Sequence, residues 1–299
     1  MAKTLFVIGN GFDLMHGFRT KLSDFKEYLE NKDNSTKKFL YSLAEYIPLE
    51  KNWSNFEEAL GKFDFDKLCS DESHLIVNPG SDDFRDCANH DYTYEISNAT
   101  DFSSKIPFFL KEWISSIKIE GRPIFNIPYN NLFLSFNYTA TLEKIYHIPN
   151  NNILYIHGSC VSKKELICGH NNKVELQRKK YDISCSSSFE EDTENVRQSY
   201  FKNTYKNTEK HIEEHIDFFN NLHEITEIVI LGHSFQTNID DAYFLKIKEM
   251  VSEDCIWKIS YHSCEDCQCN QCFVNTFQIS NYIFFRMWQL NSVLNCMNT

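Results

Sequence analysis

The sequence contains no apolar run approaching the ~18 residues that a membrane-spanning helix needs. Its first apolar run, Leu5 to Gly9, ends after five residues. The N-terminus lacks the basic segment, long apolar stretch and small-residue cleavage site of a secretory signal. A basic excess is also missing: 30 Lys and Arg stand against 42 Asp and Glu, a formal net charge of -12. That balance argues against an extensive nucleic-acid surface or a membrane face, where basic side chains supply the affinity. There is no internal repeat and no disulfide framework. The 11 cysteines are an odd number scattered along the chain, as expected of thiols in a reducing compartment. These absences together predict a cytoplasmic protein.

What is present reads as α/β. The 299 residues, 42% of them hydrophobic, suit one α/β domain over 1–299 carrying an insertion. Four short apolar runs end in a polar or glycine-bearing signature: TLFVIG (4–9), LFLSFN (132–137), ILYIHG (153–158) and IVILGH (228–233). A fifth, CIWKISY (255–261), has no signature. The runs are rich in β-branched and aromatic residues and do not alternate, which is how strands buried on both faces of a parallel sheet read. Helical segments between them predict βαβ winding. The expected fold is three-layer and Rossmann-like, with a mainly parallel sheet.

Helical spacing predicts helices over 24–30 behind a Ser23 cap, over 52–60 and over 106–117. Others begin at Thr139 or Thr141 and at Asp240 or Asp241. The stripe Ile212, Ile216, Phe219, Leu222 predicts an amphipathic helix over 209–225, the alternative being a metal shared by His211 and His215. Residues 31–120 break the strand–helix rhythm and are expected to form a helical insertion or cap, with an acidic, turn-rich loop in the middle. A second irregular stretch follows ILYIHG.

In open parallel sheets, ligands bind beyond the carboxyl ends of the strands. Gly9-Asn10-Gly11, Asn137-Tyr138, His157-Gly158 and Gly232-His233-Ser234 all stand at such ends, so a parallel sheet brings them to one crevice. A strand-ending Gly-x-Gly either makes a tight turn or lets backbone approach a ligand, with helix N–H groups aimed at phosphate. The pair is not the full Gly-x-Gly-x-x-Gly fingerprint, because Leu14 fills the last position.

VIGNGFDLMHGFRT, WSNFEEAL, LSFNYTATLEKIY, IHG, LICGH and LGHSFQTNIDDAYF occur in this order. They resemble the bacteriophage abortive infection AbiH family from one end of the chain to the other. A more distant resemblance is to sirtuin-like NAD-consuming domains, matched at Gly9-Asn10-Gly11, Ser135-Phe136-Asn137-Tyr138, His157-Gly158 and Gly232-His233-Ser234. The first resemblance implies antiphage defence. A phage-derived trigger is expected with it, and a toxic NAD-consuming enzyme would need some brake, from a homo-oligomer or from the insertion. The second implies a catalytic pair, Asn137 and His157, acting on NAD or a related nucleotide. Thr139 departs from that pattern, which has an acid there, and zinc knuckles are missing.

The residue types fit that chemistry. Asn137 would orient water or hold the ribose, and His157 would serve as base. The N–H groups of Gly9, Asn10, Gly11 and Phe12 would bind a diphosphate. Asp13 would hold a ribose hydroxyl or cap the next helix. Glu57 either faces the crevice or is an exposed helix acid. Gly232, His233 and Ser234 would complete the nucleotide site, with Asp240 either reaching a ribose or capping a helix.

No metal is predicted. A metal-dependent nuclease or phosphohydrolase using His157, His170 and His233 is the alternative enzyme, although none of the three sits in an HxH or HxxxH pair. A non-catalytic nucleotide sensor or assembly protein is the other alternative. The C-x2-C-x-C-x2-C run from Cys264 to Cys272 is expected to be a loop of exposed thiols, its two halves being too close for a zinc ribbon. Lys202 is expected to contact a phosphate or to be a solvated helix charge.

Overall fold

The computed structural model describes residues 4–33, 36, 40, 43–78, 80–82, 84, 89–174, 176, 188–235 and 237–295. Its strands are β1 (Thr4–Ile8), β2 (Leu132–Ser135), β3 (Ile153–Tyr155), β4 (Glu227–Leu231), β5 (Ile256–Tyr261) and β6 (Tyr282–Arg286). Its α-helices begin with α1 (Asn10–Met15), α2 (Leu22–Glu30), α3 (Phe56–Leu60), α4 (Phe65–Asp71), α5 (His90–Thr100) and α6 (Phe102–Ser116). They continue with α7 (Thr141–Tyr146), α8 (Ser188–Asn203), α9 (Thr208–Glu214), α10 (Ile216–Asn220), α11 (Asp241–Met250), α12 (Cys264–Thr276) and α13 (Leu290–Asn295). The chain forms two compact units, one of Met1–Lys21, Lys111–Ile167 and Asn207–Thr299, the other of Leu22–Leu110 and Cys168–Lys206.

The first unit holds one six-stranded sheet in the order β3-β2-β1-β4-β5-β6, with every pair parallel. The unalternated runs explain it. Leu5 and Val7 of β1, Leu134 of β2, and Ile228 and Ile230 of β4 pack on one face with α10, α11 and α12, through Phe219, Phe244 and Phe273 among others. Phe6 and Ile8, Phe133, and Val229 and Leu231 pack on the other face with α1, α7 and α13, through Phe12, Ile145 and Leu290. Each such side chain, wholly removed from water, contributes about 1.5–3 kcal/mol. Helices on both faces give the three-layer, Rossmann-like α/β fold expected. The sixth strand is an addition to the sequence reading: among the described strands β6 pairs with β5 and lies at the edge, where Ile283 is half exposed.

Several expected elements change. In the first unit, the single helix over 209–225 is broken at His215, which leaves helical geometry at φ -120° and separates α9 from α10. The Cys264–Cys272 run is helix rather than loop, because Ser263 and Asp266 form a reciprocal capping box at the start of α12. In the second unit, the helix expected over 52–60 starts only at Phe56, since Trp53 takes a left-handed φ of 59° and stacks on Phe56 at 5.2 Å. Part of the expected mid-chain loop is α5, held by the buried stripe Tyr92, Ile96 and Thr100. The second irregular stretch lies partly outside the described residues.

Candidate active site

From β1 the chain proceeds to β2 and β3 on one side, then returns to β4 on the other side of β1. The carboxyl ends of β1 and β4 therefore flank the switch point where parallel sheets open a crevice. The loops after these strands are laced together by main chain. Gly9 N–H donates to Leu231 O at 2.9 Å and Gly11 N–H to Gly232 O at 2.8 Å. A Cβ on Gly9 would lie 2.4 Å from His233 Cα, and one on Gly11 2.7 Å from Gly232 Cα. One on Gly232, where φ is +65°, would lie 2.4 Å from Phe12 N. The missing Cβ atoms thus admit the neighbouring loop. Of the four N–H groups expected to face a diphosphate, those of Gly9, Gly11 and Phe12 donate to protein carbonyls. Asn10 Nδ2 donates to Thr20 O at 2.8 Å.

Asn137, just past β2, donates from Nδ2 to Gly9 O at 3.1 Å, and its own N–H is accepted by Ser135 Oγ at 3.2 Å. Asp13 lies inside α1 and is not the cap of a following helix. It is buried, with Oδ2 accepting from Thr139 Oγ1 at 2.6 Å and Oδ1 from Thr141 Oγ1 at 2.7 Å. Burial pushes its carboxyl up to about 6, against the opposing pull of hydrogen bonds from Thr139, Thr141 and Asn137. Thr139, the departure from the sirtuin-like pattern, thus meets a carboxylate supplied by α1.

His157 follows β3 and is buried; its carbonyl accepts from Ile167 N–H at 2.9 Å. His233 follows β4. Both approach Asp240, the residue before α11: His157 Nε2 lies 3.4 Å from Oδ1 and His233 Nε2 3.7 Å from Oδ2. Asp240 occupies the cap position of α11 but makes no side-chain cap hydrogen bond. Phe136, to which the sequence assigned no role of its own, presents its ring to both imidazoles. Ser234 is exposed beside them. The described strand ends therefore bring Asn137, His157, His233 and Asp240 to one end of one sheet. The arrangement sets a carboxylate close to two imidazoles, at distances that a bound ligand would have to tighten before a proton moves.

Glu57 belongs to the second unit. Its Oε1 accepts from the buried Lys206 Nζ at 2.8 Å and from Gly169 N–H at 3.2 Å. Lys206 was not legible in the sequence, where it reads like any helix-end charge; Lys202, which was considered, is exposed. His170, in the same unit, accepts from Asn172 N–H at Nδ1, and burial pushes its imidazole down to about 4. Among the described residues no three or more His, Cys, Asp or Glu side chains cluster so as to hold a metal ion.

Residues 5–261 match the family model described as bacteriophage abortive infection AbiH. The chain belongs to the AbiH family. No curated protein and no solved structure shows detectable similarity to it. Membership points to a role in phage abortive infection, and the matched span takes in every strand-end residue of the AbiH site described above. Among the described residues of this AbiH-family chain, no helix is long and apolar enough to cross a membrane.

Proposed function

We propose that this AbiH-family chain is an abortive-infection effector that binds a nucleotide beyond the strand ends and hydrolyses its N-glycosidic bond, with NAD or a related nucleotide as substrate. One observation carries the reading: the buried His157 is held 3.4 Å from the Asp240 carboxylate at the end of the sheet where the strand order reverses. In this reading His157 takes the proton of the attacking water, Asp240 orients and charge-balances it, and Asn137, tied to Gly9 O, positions the ribose or the water. The interlaced glycines support the reading by fixing the loops that carry His233 and Asn137. A phage-derived trigger and a homo-oligomer remain part of this proposal as the means of release and restraint, in a cytoplasmic setting.

The test is release of free base from NAD and from adenine and guanine nucleotides by the purified full chain, alone and with extract of phage-infected cells. His157→Ala is expected to lower release by 10²-fold or more, in the range of general-base losses of roughly 10²–10⁴. If the wild-type chain frees no base under either condition, the hydrolase reading falls.

A further inference from the structure

One base needs one imidazole and one carboxylate, but the strand ends supply a second imidazole. Asp240 offers Oδ1 to His157 and Oδ2 to His233, each facing Nε2. The side chains of His157 and His233 are 4% and 8% exposed, against 20% for Asp240. Both rings meet Phe136 nearly edge-on, at centroid distances of 5.3 and 4.7 Å. With Nε2 of His233 turned to the carboxylate, its Nδ1 is buried and has no hydrogen-bond partner among the described residues. A buried ring nitrogen is costly in that state unless a ligand satisfies it.

We infer that Asp240 is a positioning carboxylate shared by two catalytic imidazoles, His157 as base and His233 as acid, and that the substrate is a nucleotide whose leaving base must be protonated to depart, as a purine is. The inference rests on the hydrolase reading above. Nicotinamide leaves NAD as a neutral molecule, so a second imidazole has no proton to supply there. A purine joined through N9 leaves as an anion unless it is protonated.

The step balances within the pair. The water oxygen bonds to C1′ of the ribose while His157 takes one water proton. The C1′–N bond breaks, its electron pair passes to the base nitrogen, and His233 gives that base a proton. Asp240 stays ionised throughout, and the pair is reset when His157 gives its proton to solvent and His233 takes one up. Ionisable groups around the pair among the described residues include Asp241, whose charge interacts with that of His233, and Tyr138 and Tyr243, whose rings lie 6.4 and 5.6 Å from that of His157. Tyr243 is in turn hydrogen-bonded to His211 at 3.0 Å.

The test uses the full chain with AMP, ATP, GTP and NAD. Purine release should show a bell-shaped pH–rate profile. His233→Gln should remove its alkaline limb and lower purine release on the order of 10²-fold more than it lowers nicotinamide release from NAD. Equal losses on both substrates, or an unchanged alkaline limb, overturn the acid role. An NMR titration of the imidazoles gives a readout independent of turnover. Asp240→Asn should lower the midpoints of both His157 and His233, because the anion favouring both imidazolium ions is gone; movement of one or neither overturns the shared carboxylate. If no nucleotide turns over while both midpoints move, the hydrolase reading and the leaving-base assignment fall and the shared carboxylate stands. The same spectra show whether each variant is folded.

Discussion

Asp13 and Asp240 stand at the same end of the same sheet and are used in opposite ways. Asp13 is 1% exposed, and both its oxygens are taken by threonine hydroxyls at 2.6 and 2.7 Å. Asp240 is partly exposed, and its oxygens face two imidazoles at 3.4 and 3.7 Å, beyond the roughly 2.7–3.2 Å of a formed N–H···O bond. Short bonds from hydroxyls that do not titrate fix a loop in place. Longer approaches to titratable rings leave room for a proton to move and for a ligand to tighten the geometry. Partner and distance, rather than residue type, separate scaffold from reagent.

The largest expected effect tests Asp240. Asp240→Asn should lower turnover on the order of 10²-fold while shifting unfolding free energy by less than about 1 kcal/mol. Kinetics beside urea denaturation check both, and the reverse pattern would make Asp240 a second scaffold. Glu57 in the second unit supplies a third kind of carboxylate, one paired with a buried ammonium. Glu57→Ala should cost about 3 kcal/mol in chemical denaturation, because the Lys206 side chain, fully buried, loses that partner. A cost under about 1 kcal/mol would show that the pair does not hold the unit.

Asp13 should reveal itself through pH. Its carboxyl titrates at about 6 in the fold against 3.8 ordinarily, a difference of order 3 kcal/mol. The folded chain therefore binds the proton more tightly. The stability from neutral Asp13 is full below about pH 4 and is lost as pH rises through about 6. Asp13→Asn lacks this dependence. Its stability deficit relative to wild type should shrink between pH 4 and pH 7 by a few kcal/mol, on the same scale. A deficit that stays constant with pH would contradict the buried-carboxyl assignment. The smallest effect is Thr141→Val, expected to cost about 1–2 kcal/mol at neutral pH by leaving Asp13 Oδ1 without its donor. Thermal unfolding would detect it, and a neutral result would place Asp13's support elsewhere.

Five of the six strands were legible because a strand buried on both faces reads as an unbroken run of β-branched and aromatic residues. Tyr282–Arg286 has that composition too, but β6 is a half-exposed edge strand with no strand-end signature behind it. The meeting of Asn137, His157, His233 and Asp240 was legible for a topological reason: parallel strands put all their carboxyl ends on one side. The partners of Asp13 were not, since Thr139 and Thr141 lie 126 and 128 residues away along the chain. Nor was the use of the glycines. A sequence shows that a Cβ is missing, but not which atom would have struck it. The Glu57–Lys206 pair escaped for a similar reason, because a lysine between a tyrosine and an asparagine signals solvent until burial is known.

The contact of Gly9 and Gly11 with Gly232 also has a mechanical consequence. Side chains that couple two loops can absorb a displacement by changing rotamer. Here backbone rests on backbone, so the joint has no such slack. A push on the loop after β1 must carry the peptide of His233 with it. Whatever settles against Asn10 therefore steers an imidazole more than two hundred residues away along the chain, as a lever does about a rigid pivot.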